Sequence, residues 1–374
     1  AASDVYKRQY QYRINKYDLD FGPGMSVEMD HNTYSLGATV SQPIYAGGQI
    51  YNNYKAAQVQ GKITEQAEEL TTDNIVYSAD LNYWTAAARK GMYDVMCQYV
   101  DIVGELANVL TIRFNDGQIS KTDLLQVESR LKEAELNKSS AYKEYQIALQ
   151  NLNSLMGVSP LDPIEVEDSI TTYLALPLQV GEDVALRNRP DYAISELNIE
   201  YQKRQINLSK AKYNPSLAIG FQGTWGTPML NVKGSDQLWT PAVFASLKIP
   251  LFRWGARFKE VNSQKAILRS KEYALDNTRD KIAQEVANAW TSLTEYTKQI
   301  TVAEEACKIA EENLDLNTFS YNEGKLPILD VLSAQLSWIQ SYSSLIQTWY
   351  QQKASLAQYN LSLIHISEPT RPIS

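Results

Sequence analysis

Between Ala256 and Glu323 the chain contains neither glycine nor proline. At about 1.5 Å of rise per residue, so long a run without a breaker predicts a single helix of roughly 100 Å. No ordinary globular core needs one. Within the run, Ile282, Val286, Ala289, Leu293, Tyr296, Ile300, Ala303, Cys307, Ala310, Leu314, Asn317 and Tyr321 follow alternating steps of four and three and are nearly all apolar. That spacing is a coiled-coil seam. The run is entered through Pro250-Leu251-Phe252-Arg253-Trp254-Gly255 and left through Tyr321-Asn322-Glu323-Gly324.

The same pattern occurs 207 residues earlier. Pro43-Ile44-Tyr45-Ala46-Gly47-Gly48 aligns with the entry segment, Gly117 with Gly324, and Asp123 with Asp330. The seam transfers as Ile75, Ala79, Asn82, Ala86, Arg89, Tyr93, Met96, Val100, Val103, Ala107, Leu110 and Phe114, with Asn82 and Arg89 as its polar exceptions. The chain is therefore a tandem duplication.

Ahead of each long helix lies a pair of two-faced strands. Tyr10, Tyr12 and Ile14 alternate with Gln11, Arg13 and Asn15; after an acidic loop from Asp18 to Asn32, Tyr34, Leu36, Ala38 and Val40 alternate with Ser35, Gly37, Thr39 and Ser41. In the second repeat Leu217, Ile219, Phe221 and Trp225 alternate with Ala218, Gly220, Gln222 and Thr224. A loop from Gly226 to Thr240 leads to Val243, Ala245, Leu247 and Ile249, alternating with Phe244, Ser246 and Lys248. Segments of about ten residues, apolar on one side and small or polar on the other, fit membrane β-strands, and they also fit the edge of a soluble sandwich. Four strands cannot close a barrel, and an open edge in lipid leaves backbone groups unpaired. In a membrane the chain must assemble: two copies give eight strands around a filled interior, three give twelve around a lumen.

Each long helix, Gln49 to Phe114 and Ala256 to Phe319, ends in a turn, Phe114-Asn115-Asp116-Gly117 or Tyr321-Asn322-Glu323-Gly324, whose glycine suits a left-handed cap. Return helices are expected over Thr122–Leu155 and Ile328–Tyr359, with Ser120 and Thr122 as capping residues and Pro327 in the first turn. This divides the chain into repeat 1 (10–156), a Pro- and acid-rich linker (157–189), and repeat 2 (190–360), which opens with a further helix from Pro190 to about Lys212. The counterpart of that helix would precede residue 6, so residues 1–9 are expected to be a non-native or truncated start. Residues 361–374, with Pro369 and Pro372, are expected to form a disordered or non-native tail.

Composition narrows the partners. With 43 acidic and 35 basic residues and a net charge of −8, nucleic acid is excluded as a partner. The 24 tyrosines suit surfaces that are half apolar and half wet. Cys97 and Cys307 are not duplicates of each other, and Cys307 falls on the seam as a small core residue. His31 and His365 cannot build a zinc site alone, and no stretch of 18 or more apolar residues predicts a transmembrane helix. No nucleophile–base pair, phosphate-binding glycine loop or metal-ligand cluster is present, so the chain is not expected to be an enzyme or to hold a cofactor. The rival class is a soluble coiled-coil adaptor or structural protein, which has the seams but no use for four dyad strands.

Two repeats, each with Pro-hydrophobic-(Tyr/Phe)-x-x-Gly at Pro43 and Pro250 and (Phe/Tyr)-Asn-x-Gly-x-x-x-x-x-Asp-hydrophobic-Leu at Phe114 and Tyr321, resemble the TolC-like outer-membrane efflux proteins over about Tyr10 to Tyr359. The resemblance implies a mainly α fold with a small β part: a homotrimer with a 12-stranded barrel in the outer membrane of a Gram-negative bacterium and an α-helical tunnel across the periplasm. It implies a passive exit duct for efflux or type I secretion, joined to an inner-membrane exporter through a periplasmic adaptor (membrane fusion protein). Substrates would be small drugs, metal ions or unfolded polypeptides. By the same resemblance, Asn115, Asp116 and Gly117 with Asn322, Glu323 and Gly324 are the adaptor-docking tip, and Pro43, Gly47, Gly48, Pro250 and Gly255 form the strand-to-helix turns. Asp330 becomes the constriction aspartate, and Thr122, Asp123 and Tyr321 latch the closed tip. Leu326 stands where the family's latch has an arginine, and Ser333 where it has a second aspartate.

Overall fold

A computed structural model of the chain describes residues 3–12, 19–20, 23–24, 26–27, 32–227 and 236–363. The order of elements is β1 (Ser3–Tyr12), β2 (Leu19–Asp20), β3 (Ser26–Val27), β4 (Asn32–Ala46), α1 (Gln49–Asn115), α2 (Lys121–Met156), α3 (Glu182–Asn188), α4 (Pro190–Ala211), β5 (Ser216–Gly226), β6 (Leu238–Lys248), α5 (Ala256–Asn322) and α6 (Ile328–Leu363). The duplication is preserved in the helix ends: α1 and α5 are 67 residues each, α2 and α6 are 36 each, and both pairs keep the 207-residue offset. The loop tip at 228–235, the tail from Ile364, both histidines and Ile14 lie outside the described residues.

The chain divides into two units, one made of residues 1–64 and 195–274, the other of residues 65–194 and 275–374. In the first, an antiparallel sheet has the order β1-β4-β5-β6, and β2 and β3 form a separate two-stranded ribbon. β1 begins at Ser3, ahead of Tyr10 where alternation placed it. The reason is register. Ser216 pairs with Lys248, but Ser41, the equivalent of Lys248, pairs with Ser3 and not with Gln9, the equivalent of Ser216. The longer connection between β1 and β4 lets the hairpin slide, and a period of two reports the face of a strand but not its partner.

The sheet shows its apolar side. Leu36, Val40, Ile219, Phe221, Trp225, Val243 and Leu247 are exposed, Val243 to 84%, while Ser35, Gly37, Thr39 and Ser41 are half-buried. Pairing carries this face across the strands through Leu36–Trp225–Trp239 and Val40–Phe221–Val243. On the opposite side a Cβ on Gly220 would come within 2.4 Å of the Phe244 ring and 2.8 Å of the Val40 carbonyl oxygen, so glycine lets both approach the strand. The β4-to-α1 turn is equally tight. Gly47 has φ +62°, and a Cβ there would lie 2.7 Å from the Ala211 carbonyl oxygen, while Asn214 Nδ2 donates to the Gly47 carbonyl at 2.9 Å. At the equivalent turn Trp254 adopts φ +46°, exposed and stacked edge-on against Phe252.

In the second unit the seam of α5 is buried at Ile282, Val286, Ala289, Leu293, Ile300, Cys307, Ala310, Leu314 and Tyr321, with Tyr296, Ala303 and Asn317 half-buried. The seam of α1 is less regular: Ile75 and Arg89 are exposed, and Ala87, Val95, Tyr99 and Leu106 are buried beside it. One core joins Val95, Val103, Ala134, Leu149, Ile300, Trp338 and Trp349; a second surrounds Ile282, Leu293 and Tyr359. Among the described residues, α1 is long and apolar enough over part of its length to cross a membrane, by length and composition only. No 18 consecutive apolar residues occur in it, and its buried residues, Val95, Tyr99 and Val103 among them, belong to the core of this unit.

The segment from Gly157 to Arg189 is strapped down by side chains. Asn153 Nδ2 donates to the Asp162 carbonyl at 2.8 Å, Lys90 Nζ to the Val166 carbonyl at 2.8 Å, and the Tyr359 hydroxyl to the Leu178 carbonyl at 3.2 Å. The Tyr83 hydroxyl donates to Asp168 Oδ2 at 2.6 Å; burial, then that bond, push its phenol up to about 12. Lys353 is 1% exposed, lies over the rings of Trp84 and Trp349 and donates to the Thr172 carbonyl; burial pulls its pKa down to about 8. Backbone that has no ladder thus finds its donors on the helices.

Candidate functional site at the hairpin tips

Both tips are built by one device. The Gly117 N–H donates to the Phe114 carbonyl and the Gln118 N–H to the Arg113 carbonyl, at 2.9 and 2.8 Å; the Gly324 and Lys325 N–H groups repeat this on Tyr321 and Ser320, at 2.9 Å each. Gly117 and Gly324 have φ of +72° and +71°, the left-handed cap that ends a helix and reverses the chain. Asn115, Asp116 and Gly117, with Asn322, Glu323 and Gly324, are all exposed on these turns.

The return helices begin differently. Ser120 caps α2, accepting from the Asp123 N–H at 3.2 Å and donating its hydroxyl to Asp123 Oδ2 at 2.9 Å. α6 has Pro327 in that place, and the Asp330 N–H donates to the Pro327 carbonyl at 3.2 Å. Asp330 is exposed in the first turn of α6, where a carboxylate suits the helix dipole; Ser333, one turn on, is turned back onto the Leu329 carbonyl at 2.8 Å.

Beneath the turns, Leu106, Ala107, Leu110, Leu124 and Val127 of the first repeat pack with Tyr321, Ile328, Val331 and Leu332 of the second. Tyr321 is therefore brought against the first repeat. Thr122 is exposed, Asp123 is engaged with Ser120, and neither hydrogen bonds to Tyr321. Arg113 takes that place: its guanidinium lies 5.2 Å from the Tyr321 ring centre, and Nη2 donates to Asn322 Oδ1 at 3.2 Å and to the Asn322 carbonyl at 3.4 Å. The sequence held a signal for it. Arg113 is the basic residue in the last turn of α1, and α5 has none.

Along the same helices, duplicate positions differ in burial. Val95 of α1 is 8% exposed, and its duplicate Val302 on α5 is 66% exposed; Leu332 and Trp349 of α6 are buried, and their duplicates Leu125 and Tyr142 on α2 are exposed. Among the described residues no group of three or more His, Cys, Asp or Glu is arranged to hold a metal ion.

A chain of two strand hairpins and two long helical hairpins, with an apolar face on the sheet and two capped tips, belongs to the TolC-like class of folds. It is a member of the Outer membrane efflux protein family, which it matches over residues 14–158 and 183–362. It is 20% identical over 346 residues to "Outer membrane efflux protein BepC" of Brucella suis biovar 1 (strain 1330), covering 92% of this chain and 75% of that one. To "Nodulation protein T" of Rhizobium leguminosarum bv. trifolii it is 24% identical over 245 residues, covering 63% of this chain; it thus spans about half that relative, 52%. The outer membrane protein VceC of Vibrio cholerae superposes with a TM-score of 0.77 at 16% identity, over 97% of this chain and 86% of that one.

Proposed function

We propose that three copies of the chain form the outer-membrane exit duct of an efflux or type I secretion system, passing substrates from an inner-membrane transporter and a periplasmic adaptor to the exterior without chemistry of its own. The observation that carries this is a matched set of unfinished surfaces. β1 and β6 end the sheet with no further strand beside them among the described residues, and the sheet's exposed face is apolar. The face of α1 that includes Val95 packs inside the chain in the core that holds Trp349, whereas Val302 and Ile309 on α5 and Leu125 and Tyr142 on α2 are bare duplicates of such packed positions. Applied once more between copies, the same packing joins α5 of one chain to α2 of the next and β6 of one to β1 of the next. Such a head-to-tail contact closes into a ring. Three copies give twelve strands, enough to leave a lumen.

In that ring three Asp330 carboxylates surround one axis at the start of α6, a like-charged constriction that favours cations. The exposed tip turns are the adaptor's docking surface. A soluble coiled-coil protein accounts for the seams but would not display Leu36, Phe221, Trp225 and Val243 to solvent. Purified protein in a planar lipid bilayer is expected to give discrete ion-conducting steps; protein that remains monodisperse without detergent and never conducts would refute the duct.

A further inference from the structure

The two strand-to-helix junctions are duplicates that differ in charge. Residues 41–52, from the end of β4 into α1, include no charged side chain. Residues 248–259, the same places 207 residues later, include Lys248, Arg253, Arg257 and Lys259 and no acid. In a chain of net charge −8 this is a local reversal of sign. All four cations are exposed, and among the described residues none of them is in an ion pair. The next carboxylate along the chain, Glu260, is already engaged, since Lys212 and the Tyr213 hydroxyl both donate to it.

Between the cations stand Leu251, Phe252, Trp254 and Phe258, exposed to 90, 72, 88 and 73%. Trp254 is the duplicate of Gly47. Where Gly47 is packed against Ala211 and Asn214, Trp254 has a left-handed backbone at φ +46° and an indole bare of all but the Phe252 ring. A large side chain in a conformation that favours glycine, with little packing gained inside the chain, points to a role outside it. The patch also has a definite place. It follows Val243 and Leu247, where the exposed apolar face of β6 ends, and leads into α5. A membrane that covers that face puts its headgroups here, where aromatic rings are suited to the boundary, cations attract anionic lipid, and arginine can make paired hydrogen bonds to a phosphate.

We propose that the junction from Lys248 to Lys259 binds the headgroup of an anionic phospholipid, with Arg253, Arg257 and Lys259 as its cations and Phe252 and Trp254 at the edge of the acyl chains. The uncharged junction of the first repeat has no such site, so each chain holds one lipid of this class. The inference rests on the sheet lying in a membrane and not on the number of copies around the duct.

The test titrates delipidated protein in a neutral detergent with phosphatidylglycerol and, separately, with phosphatidylcholine, and counts bound lipid per chain by native mass spectrometry. Wild type is expected to hold a single phosphatidylglycerol per chain about tenfold more tightly than phosphatidylcholine. Arg253→Gln with Arg257→Gln and Lys259→Gln should bring the two affinities to within about twofold of each other. Lys62→Gln with Lys132→Gln and Lys298→Gln, an equal loss of exposed charge elsewhere, should leave the preference as it was. Trp254→Gly gives the left-handed backbone the residue found at its duplicate, so the chain should fold and bind phosphatidylglycerol severalfold more weakly. Equal affinities in wild type, a preference that survives the junction variant, or a control variant that loses as much would overturn the inference. Displacement of the lipid by an equal concentration of inorganic phosphate would also overturn it, leaving a site for the anion alone. A junction variant that loses its multimers while its lipid preference is unchanged would assign the patch to a contact between copies instead. Wild type that prefers phosphatidylglycerol in this way but never conducts refutes the duct and leaves the lipid site standing; a conducting wild type indifferent to the headgroup does the reverse.

Discussion

Lys353 holds an ammonium group at 1% exposure between two indole rings, with the Thr172 carbonyl as its hydrogen-bond acceptor. Burial draws its pKa down from 10.5 to about 8, and the Asp168 carboxylate opposes the shift. An unfolded chain therefore binds more protons than the folded one between pH 8 and 10.5, and linkage makes this residue's contribution to stability rise with pH across that window. Below pH 8 the cost of keeping the charge buried is present in full. Melting wild type and Lys353→Met from pH 7 to 10.5 is expected to show wild type gaining on the variant above pH 8; parallel curves would mean that the ammonium is not desolvated. Gly47 and Gly255 provide a second pair at this scale. Both have positive φ, but a Cβ at Gly47 meets the Ala211 carbonyl at 2.7 Å, and nothing lies within 4 Å of one at Gly255. Gly255→Ala is expected to cost about 1 kcal/mol of backbone strain and Gly47→Ala roughly 2–4 kcal/mol, measured by urea unfolding in detergent; equal losses would show that the α4 end yields. Neither the partner of Lys353 nor that of Arg113 was legible in the sequence, because Thr172 lies 181 residues from the first and Asn322 209 from the second, and no local period reports such a contact.

At the scale of the elements, the sequence was legible where one physical rule acts alone. α5 runs without a breaker, and its alternating fours and threes mark the side that is buried from Ile282 to Tyr321. α1 obeys the same rule less well because it packs on two sides, so Val95, Tyr99 and Leu106 are buried off the seam while Ile75 is exposed on it. Strand faces were legible from their period of two; the register of β1 was not, since it depends on the length of a connection. The two rows of α5 should respond differently to substitution. Leu293, fully buried, is expected to cost about 2–5 kcal/mol as Leu293→Ala, read as a lower unfolding midpoint. Val302→Ser with Ile309→Ser should leave the far-ultraviolet circular dichroism of the chain intact and reduce the yield of oligomer severalfold, measured by light scattering in detergent. A double variant that assembles as well as wild type would remove that face from the interface.

For the whole molecule, the duplication explains why one chain looks unfinished. In the proposed ring, the packing made once inside the chain recurs between copies, at β1 and β6, which end the sheet among the described residues, and on the exposed residues of α2 and α5. The candidate constriction follows from this arrangement: Asp330→Ala is expected to reduce the preference of the reconstituted channel for cations and to weaken its block by multivalent cations, and unchanged selectivity would take Asp330 out of the lumen. Tip turns, strand-to-helix turns and Asp330 were legible as repeated motifs; the partner that holds Tyr321 was not, because Arg113 breaks the repeat. The mass of the detergent-solubilised particle, with bound detergent subtracted, bears on the account most directly. Three chains per particle is the expected result, and a particle of one or two chains that nonetheless conducts would contradict it.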